Sequence, residues 1–170
     1  GELNEDAWQR VFWTETFTQP AAGDVEPTPA SERVEAAILH EKYGIVVAFR
    51  CRDRVLANPH SGRDQPLWEG DSVGVFIDAD RPGENIRALY VSPANDVTDM
   101  SFVRVSADGD PGLWQANAGW DDASVRSGAA QKTEIDTATG QTNYLWTVEL
   151  AIPVRSVTRR VNGVSMISET

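Results

Sequence analysis

The sequence predicts an all-β fold, an antiparallel β-sandwich of the immunoglobulin or jelly-roll kind with about ten strands and minimal helix. Nearly every apolar run has a period of two, which puts alternate side chains on opposite faces of a sheet. These runs are short, roughly evenly spaced and separated by turn residues. A barrel is the alternative architecture. At 170 residues the chain suits one domain, predicted over 1–170. Because it begins abruptly in structured-looking sequence, we expect it to belong to a larger protein.

The elements follow in chain order. Residues 4–8 are predicted to form one helical turn, and residues 10–14 an entry strand. Three prolines make 19–29 a loop, since proline lacks the amide that sheet pairing needs. Strands 33–39 and 44–50 are joined by a short turn, which indicates a hairpin. Further strands are predicted at 72–78, 86–92, 101–106, 131–135, 143–152 and 161–167. Along 143–152, one face is predicted to point to the core, and its residues are Tyr144, Trp146, Val148, Leu150 and Ile152.

Composition and charge exclude several classes of partner. The chain has 26 acidic and 15 basic residues, which gives a formal net charge of -11. Such a surface repels phosphate backbones and anionic lipids, so we predict no nucleic-acid binding. An apolar run of about 18 residues is missing, so we predict no membrane insertion. Cys51 is the only cysteine, which excludes an internal disulfide, and its phase with the apolar residues of its strand predicts burial.

The segment around Trp68 is the most informative part of the chain. Trp68 lies in a polar loop and leads into a strand where Val73, Val75 and Ile77 face one way and Phe76 the other. An aromatic residue on such a loop either seals the end of a core or offers a flat face to a ligand. Both roles remain open for Trp68 at this point.

Three segments carry a resemblance to a known family. They read GELNEDAW at 1–8, WEGDSVGVFID at 68–78 and WTVELAIP at 146–153. In this order they resemble motifs of family 9 carbohydrate-binding modules and of the wider DOMON-like superfamily. The resemblance implies a non-catalytic module that binds oligo- or polysaccharide and is tethered to a catalytic or envelope domain. It also implies a secreted, periplasmic or cell-envelope location, a bacterial source and structural calcium.

The resemblance also implies where a sugar is held. In the family, two tryptophans clamp the sugar at one end of the sandwich, and Trp68 matches the first of them. The family's pocket glutamate falls on Gly74, and its pocket arginine falls near Tyr90, with Arg87 three residues upstream. The second clamp tryptophan belongs to a strand beyond 161–167.

Other residues near these positions have the chemistry of a sugar site. A pyranose packs its apolar C–H face on an aromatic ring, while its hydroxyls bond polar side chains. Trp114 and Trp120 lie in a predicted Gly- and Asn-rich loop and are the candidate second platform; edge packing is the alternative for every such ring. Trp8, Trp13 and Trp146 are predicted to be structural. The predicted ligand-binding residues are Trp68, Asp71, Arg87, Tyr90, Trp114 and Trp120.

The polar residues include a candidate calcium site but no pattern that is typical of an enzyme. Asp78, Asp80 and Glu84 surround one turn, and hard oxygen ligands at alternate positions suit calcium. The two histidines, His40 and His60, lie in no metal-ligand spacing, and no nucleophile or phosphate-loop motif is present. We therefore predict that the chain is not an enzyme. A structural domain that binds no sugar and packs against neighbouring domains is the alternative function.

Overall fold

The computed structural model describes residues 1–14, 17–18, 33–78, 85–104, 114–157, 160–161 and 164–165. Its helices are α1 (Asp6–Arg10), α2 (Val154–Val157) and a 3-10 helix over Leu67–Glu69. Its strands are β1 (Arg33–Glu41), β2 (Gly44–Asp53), β3 (Val73–Asp78), β4 (Asn85–Val91), β5 (Val97–Arg104), β6 (Trp114–Asn117), β7 (Arg126–Ile135), β8 (Thr142–Pro153), β9 (Arg160–Val161) and β10 (Val164–Ser165).

Two four-stranded antiparallel sheets form the body of the molecule. The first sheet has the strand order β1-β2-β8-β7, and the second has the order β3-β4-β5-β6. The predicted antiparallel β-sandwich is confirmed, with eight strands in its two sheets rather than about ten. In the part of the chain that the structure describes, the short strands β9 and β10 pair with each other and form a separate two-stranded sheet.

The main core consists of the inward faces of both sheets. Phe49 of β2, Val73 of β3, Leu89 of β4 and Leu150 of β8 belong to this one buried cluster. Each such side chain contributes about 1.5–3 kcal/mol by leaving water. The predicted inward face of β8 is confirmed, because four of its five residues are buried: Trp146, Val148, Leu150 and Ile152.

A second cluster lies on the outer face of the first sheet. The N-terminal segment covers that face, where Leu3 and Trp8 pack with Ala37 and Ala48. Trp8 is therefore structural, as predicted. The predicted strand at 10–14 is wrong, because this stretch leaves α1 and forms no strand. The apolar residues there alternate because the segment lies across a sheet, not because it belongs to one.

Two further findings bear on the sequence predictions. Among the residues that the structure describes, no helix is long and apolar enough to cross a membrane. Cys51 is buried, as predicted, and burial together with the charge of Asp53 raises the pKa of its thiol well above the ordinary value.

Candidate functional site

The second sheet carries large apolar side chains on the face that points away from the core. Val73, Val75 and Ile77 pack against the main core, so the alternate residues Gly74 and Phe76 point outward. Directly paired residues lie on the same side of a sheet, so the register extends this outward face over all four strands. The outward positions are Gly74, Phe76 and Asp78 on β3, Ile86, Ala88 and Tyr90 on β4, Thr98, Met100, Phe102 and Arg104 on β5, and Trp114 and Ala116 on β6.

Four rings form a continuous row on this face, here called the aromatic strip: Trp68, Tyr90, Phe76 and Phe102. The ring centroids of Trp68 and Tyr90 lie 5.5 Å apart, and those of Tyr90 and Phe76 lie 5.6 Å apart. Phe76 and Phe102 follow at 6.5 Å. Trp68 is 49% exposed and Phe76 is 57% exposed, while Tyr90 and Phe102 are half-buried. These separations suit favourable ring contacts, so the strip presents a fixed apolar surface to solvent.

Gly74 has a packing role beneath the strip. It pairs with Tyr90 across β3 and β4, and a Cβ atom at Gly74 would lie 3.0 Å from Cε1 of Tyr90. The tyrosine ring therefore occupies the space that a side chain at Gly74 would need. The resemblance placed a pocket glutamate at this position, and the structure has a ring there instead.

The turn that carries Trp68 separates the two roles that the sequence left open. Leu67 is 1% exposed, so it fills the interior, and its neighbour Trp68 is half-exposed and contacts Tyr90. The preceding loop is bonded to the start of β5: the Asp64 amide donates to the Val97 carbonyl at 3.0 Å. Trp68 thus lies on a short helix, and the loop that leads into this helix is hydrogen-bonded to the second sheet.

An ion pair strengthens this attachment. Nη2 of Arg63 donates to Oδ1 of Asp99 at 2.8 Å, and Asp99 is only 1% exposed. Oδ2 of Asp99 accepts from the Asp122 amide at 2.7 Å, and Arg63 also bonds Asp121. Burial raises the pKa of Asp99, although the Asp122 amide and Arg63 oppose that rise. The guanidinium of Arg63 therefore bridges the buried carboxylate of Asp99 and the exposed carboxylate of Asp121.

Arg87 and Trp120 lie on the other side of the second sheet from the strip. The Arg87 guanidinium lies over the Trp120 ring, 4.8 Å from its centroid, and Trp120 packs against the main core. Nη1 of Arg87 also donates to Oδ1 of Asn85 at 2.9 Å. The structure therefore brings Arg87 and Trp120 together but separates both from Trp68 and Tyr90.

Asp71 also faces away from the strip. Its Oδ2 accepts from the Ala57 amide at 2.5 Å and so fixes the loop before β3. It lines a cavity of about 360 Å³ that also includes Asp53 and Trp146. Burial raises the pKa of Asp71, and the nearby charge of Asp53 adds to the rise.

Trp114 belongs to a strand, and its predicted loop location is wrong. Trp114 lies on the edge strand β6, where it pairs with Arg104 of β5, and it is 42% exposed. Its outward position is diagonal to Phe102, so it extends the line of the strip. The strand was not predicted because it is only four residues long and follows a stretch of sequence that is rich in Gly and Pro. Trp120, by contrast, lies in the turn after β6, as predicted.

Phe76 and Phe102 are the strip residues that the sequence analysis did not select. The alternation at 72–78 already placed Phe76 opposite Val75, which was a usable signal. The contact between Phe102 and Phe76 could not be predicted from the sequence, because it depends on the register between β3, β4 and β5.

The predicted calcium site is described only in part. Asp78 ends β3 and is exposed, while Asp80 and Glu84 lie outside the described residues. Among the described residues, no group of three or more His, Cys, Asp or Glu side chains could hold a metal ion. The calcium site stays a prediction.

Comparisons with known proteins bear on the fold. No model of a protein family matches the chain, and no curated protein matches it. A solved structure that is similar is described as that of "a putative carbohydrate-binding protein from Bacteroides uniformis ATCC 8492". The two chains are 12% identical, with a TM-score of 0.59 over 88% of this chain. The match spans 63% of the other chain's length. At this identity the likeness shows a shared fold.

Proposed function

We propose that the protein is a non-catalytic carbohydrate-binding module whose sugar site is the aromatic strip. One observation carries the proposal: Trp68 and Phe76 are half-exposed, and each of them contacts the half-buried ring of Tyr90. Rigid aromatic faces bind the apolar face of a sugar ring with little loss of side-chain freedom.

The energetics require more than one ring. A single aromatic contact contributes about 0.5–1.5 kcal/mol beyond the area that it buries. One such contact alone therefore gives weak binding, and several rings acting together are needed for useful affinity. The outward residues Asp78 and Arg104 can bond sugar hydroxyls beside the strip.

Two independent likenesses support the proposal. The three sequence segments resemble those of family 9 modules, and the fold is shared with a protein described as carbohydrate-binding. The module would hold an attached catalytic or envelope domain on polysaccharide and so raise its local substrate concentration. Such a role fits a secreted, periplasmic or cell-envelope location.

A glycan array followed by calorimetric titration tests this function. We expect binding to at least one glycan, and about a tenfold loss of affinity in Trp68→Ala and in Phe76→Ala. Tyr43→Ala is the matched control, because Tyr43 is 74% exposed and belongs to the turn of the first sheet. Sugar binding that is unchanged by both strip substitutions would remove the strip from the site.

A structural role is the second candidate function. In that case the outward face packs against a neighbouring domain and binds no sugar. The apolar character of the face favours it: Trp68, Phe76 and Trp114 are exposed there, and large exposed apolar patches mark interaction surfaces. A chain that binds no glycan on the array, and whose Phe76→Ala variant loses contact with an adjoining domain, would support this role.

A further inference from the structure

We propose that the ligand is a neutral, unbranched glycan chain that lies along the aromatic strip and contacts several rings at once, rather than a single sugar held in a pocket. This inference rests on the proposed function and specifies the class of its ligand.

The first argument is the length and continuity of the strip. Its rings come from the 3-10 helix, β4, β3 and β5 in turn, and successive centroids are 5.5, 5.6 and 6.5 Å apart. Each of these centroid separations is comparable with the length of one sugar unit in a glycan chain. Trp114, which is 42% exposed, continues the line onto β6. A ligand that uses both ends must therefore be extended.

The second argument is the small residue between the phenylalanines. Ala88 pairs directly with Phe76, and the neighbouring β5 residue in that row is Met100. Both are buried on the outward side of the sheet, at 0% and 6% exposure. Phe76 and Phe102 approach each other across this small residue, with 29° between their ring planes. The accessible surface of this row therefore comes from the two phenylalanine rings and not from Ala88 or Met100, and no side chain of the row rises between the rings.

The third argument is the packing of Tyr90 on Gly74 beside Trp68. Tyr90 covers Gly74, so a side chain from that position cannot reach a sugar beside Trp68. Trp68 and Phe76, the neighbours of Tyr90 in the strip, are 49% and 57% exposed, so both rings are open to solvent. Because one ring alone binds weakly, affinity must accumulate along the chain.

Charge decides between neutral and acidic glycans. The protein carries a net charge of -11, while the described charged residues on the face of the strip, Asp78 and Arg104, have opposite signs, so the repulsion of an acidic chain comes from the protein as a whole. A polyuronate would be repelled over this surface at low ionic strength. A neutral chain meets no such penalty and can donate hydroxyl hydrogen bonds to Asp78.

The experiment compares affinity with chain length. Calorimetric titrations would use cello-, xylo- and manno-oligosaccharides from one to about six units, with oligogalacturonate as the acidic probe. We expect at least one neutral series to gain about tenfold or more in affinity between one unit and the longest chain. We expect oligogalacturonate of the same length to bind more weakly, by a margin that shrinks as salt is added.

Three variants of the strip and one control locate the gain in length. Phe102→Ala should weaken the longest chain about fivefold and leave the single sugar unchanged, whereas Trp68→Ala should weaken both. Trp114→Ala, at an exposed edge position, repeats the test without removing a half-buried ring. Tyr43→Ala should change nothing.

The outcomes separate this inference from the proposed function. Sugar binding that depends on Trp68 but is equally tight for one unit and for the longest chain would overturn the inference and leave the function intact. Tighter binding of the acidic probe would also overturn it. If no glycan binds the folded protein, the proposed function fails and the inference falls with it.

Discussion

The ion pair between Arg63 and Asp99 gives the sharpest prediction about stability. Removing one partner of a fully buried pair costs about 3–5 kcal/mol, because the other charge is left in a poorly solvated place. Asp99 is 1% exposed, but Arg63 is 45% exposed, so solvent screening reduces this cost. Asp99 also keeps its bond from the Asp122 amide. We therefore expect Arg63→Ala to lower the free energy of unfolding by about 2 kcal/mol, and Tm by about 4–8 °C.

The chain contains a matched control for this substitution. Lys132 and Glu134 form an ion pair with the same N–O distance of 2.8 Å, but their side chains are 72% and 41% exposed. We expect Lys132→Ala to leave the urea midpoint unchanged within error, because an exposed pair gains little over water. Both variants would be compared with the parent protein by urea unfolding. If the dependence of the unfolding free energy on urea concentration is the same in all three proteins, the midpoints report their stabilities directly.

The pH dependence adds a second check. Because burial raises the pKa of Asp99, the folded state holds this proton more tightly than the unfolded chain. Stability from this group is therefore present below the ordinary carboxyl pKa and is lost as pH rises through the folded pKa. Arg63→Ala raises the folded pKa further, so its cost should be largest near about pH 7 and smaller near about pH 4. Equal midpoint losses in Arg63→Ala and Lys132→Ala, or a cost that does not fall in acid, would refute the reasoning.

Three further predictions follow from the structure. Trp146→Phe replaces the buried indole with a smaller ring and deletes the bond from Nε1 to Oδ2 of Asp53, so lost packing and the lost bond together should lower the free energy of unfolding by about 1–3 kcal/mol in urea; no loss would mean that neither the bond nor the lost volume matters for stability. Cys51 should resist iodoacetamide in the native protein and react once urea unfolds it, because burial removes access and raises the thiol pKa; rapid native alkylation, followed by mass spectrometry, would contradict its burial. If Asp78, Asp80 and Glu84 bind structural calcium, Tm should rise with added calcium and fall with a chelator, and Asp78→Asn should reduce the rise; a Tm indifferent to calcium in the parent protein would end the proposal.

The fold could be read from the sequence because its signal is local. The alternation at 143–152 alone identified β8 and its inward face, and the short turn between β1 and β2 identified their hairpin. The short strand β6 was not predicted, because a pattern of four residues is too short to show a period. The stretch at 10–14 was assigned wrongly, because packing across a sheet and pairing within one leave similar apolar patterns.

The candidate site could be predicted only one residue at a time. Trp68 and Tyr90 were both selected, and they do contact each other. The assignment of Arg87 to the same site depended on its closeness in sequence, yet three residues along a strand reverse the side-chain direction. Phe102 entered the strip through register across three strands, which no local pattern encodes.

The indole N–H resonances of the six tryptophans provide the most direct measurement of the central claim. Titrating the isotope-labelled protein with a glycan that it binds should shift the Trp68 signal first and the Trp114 signal with longer chains. Trp8 and Trp146, at 2% and 3% exposure, serve as internal references and should not move. A titration in which Trp120 shifts while Trp68 stays fixed would place the sugar on the other side of the sheet and contradict the account.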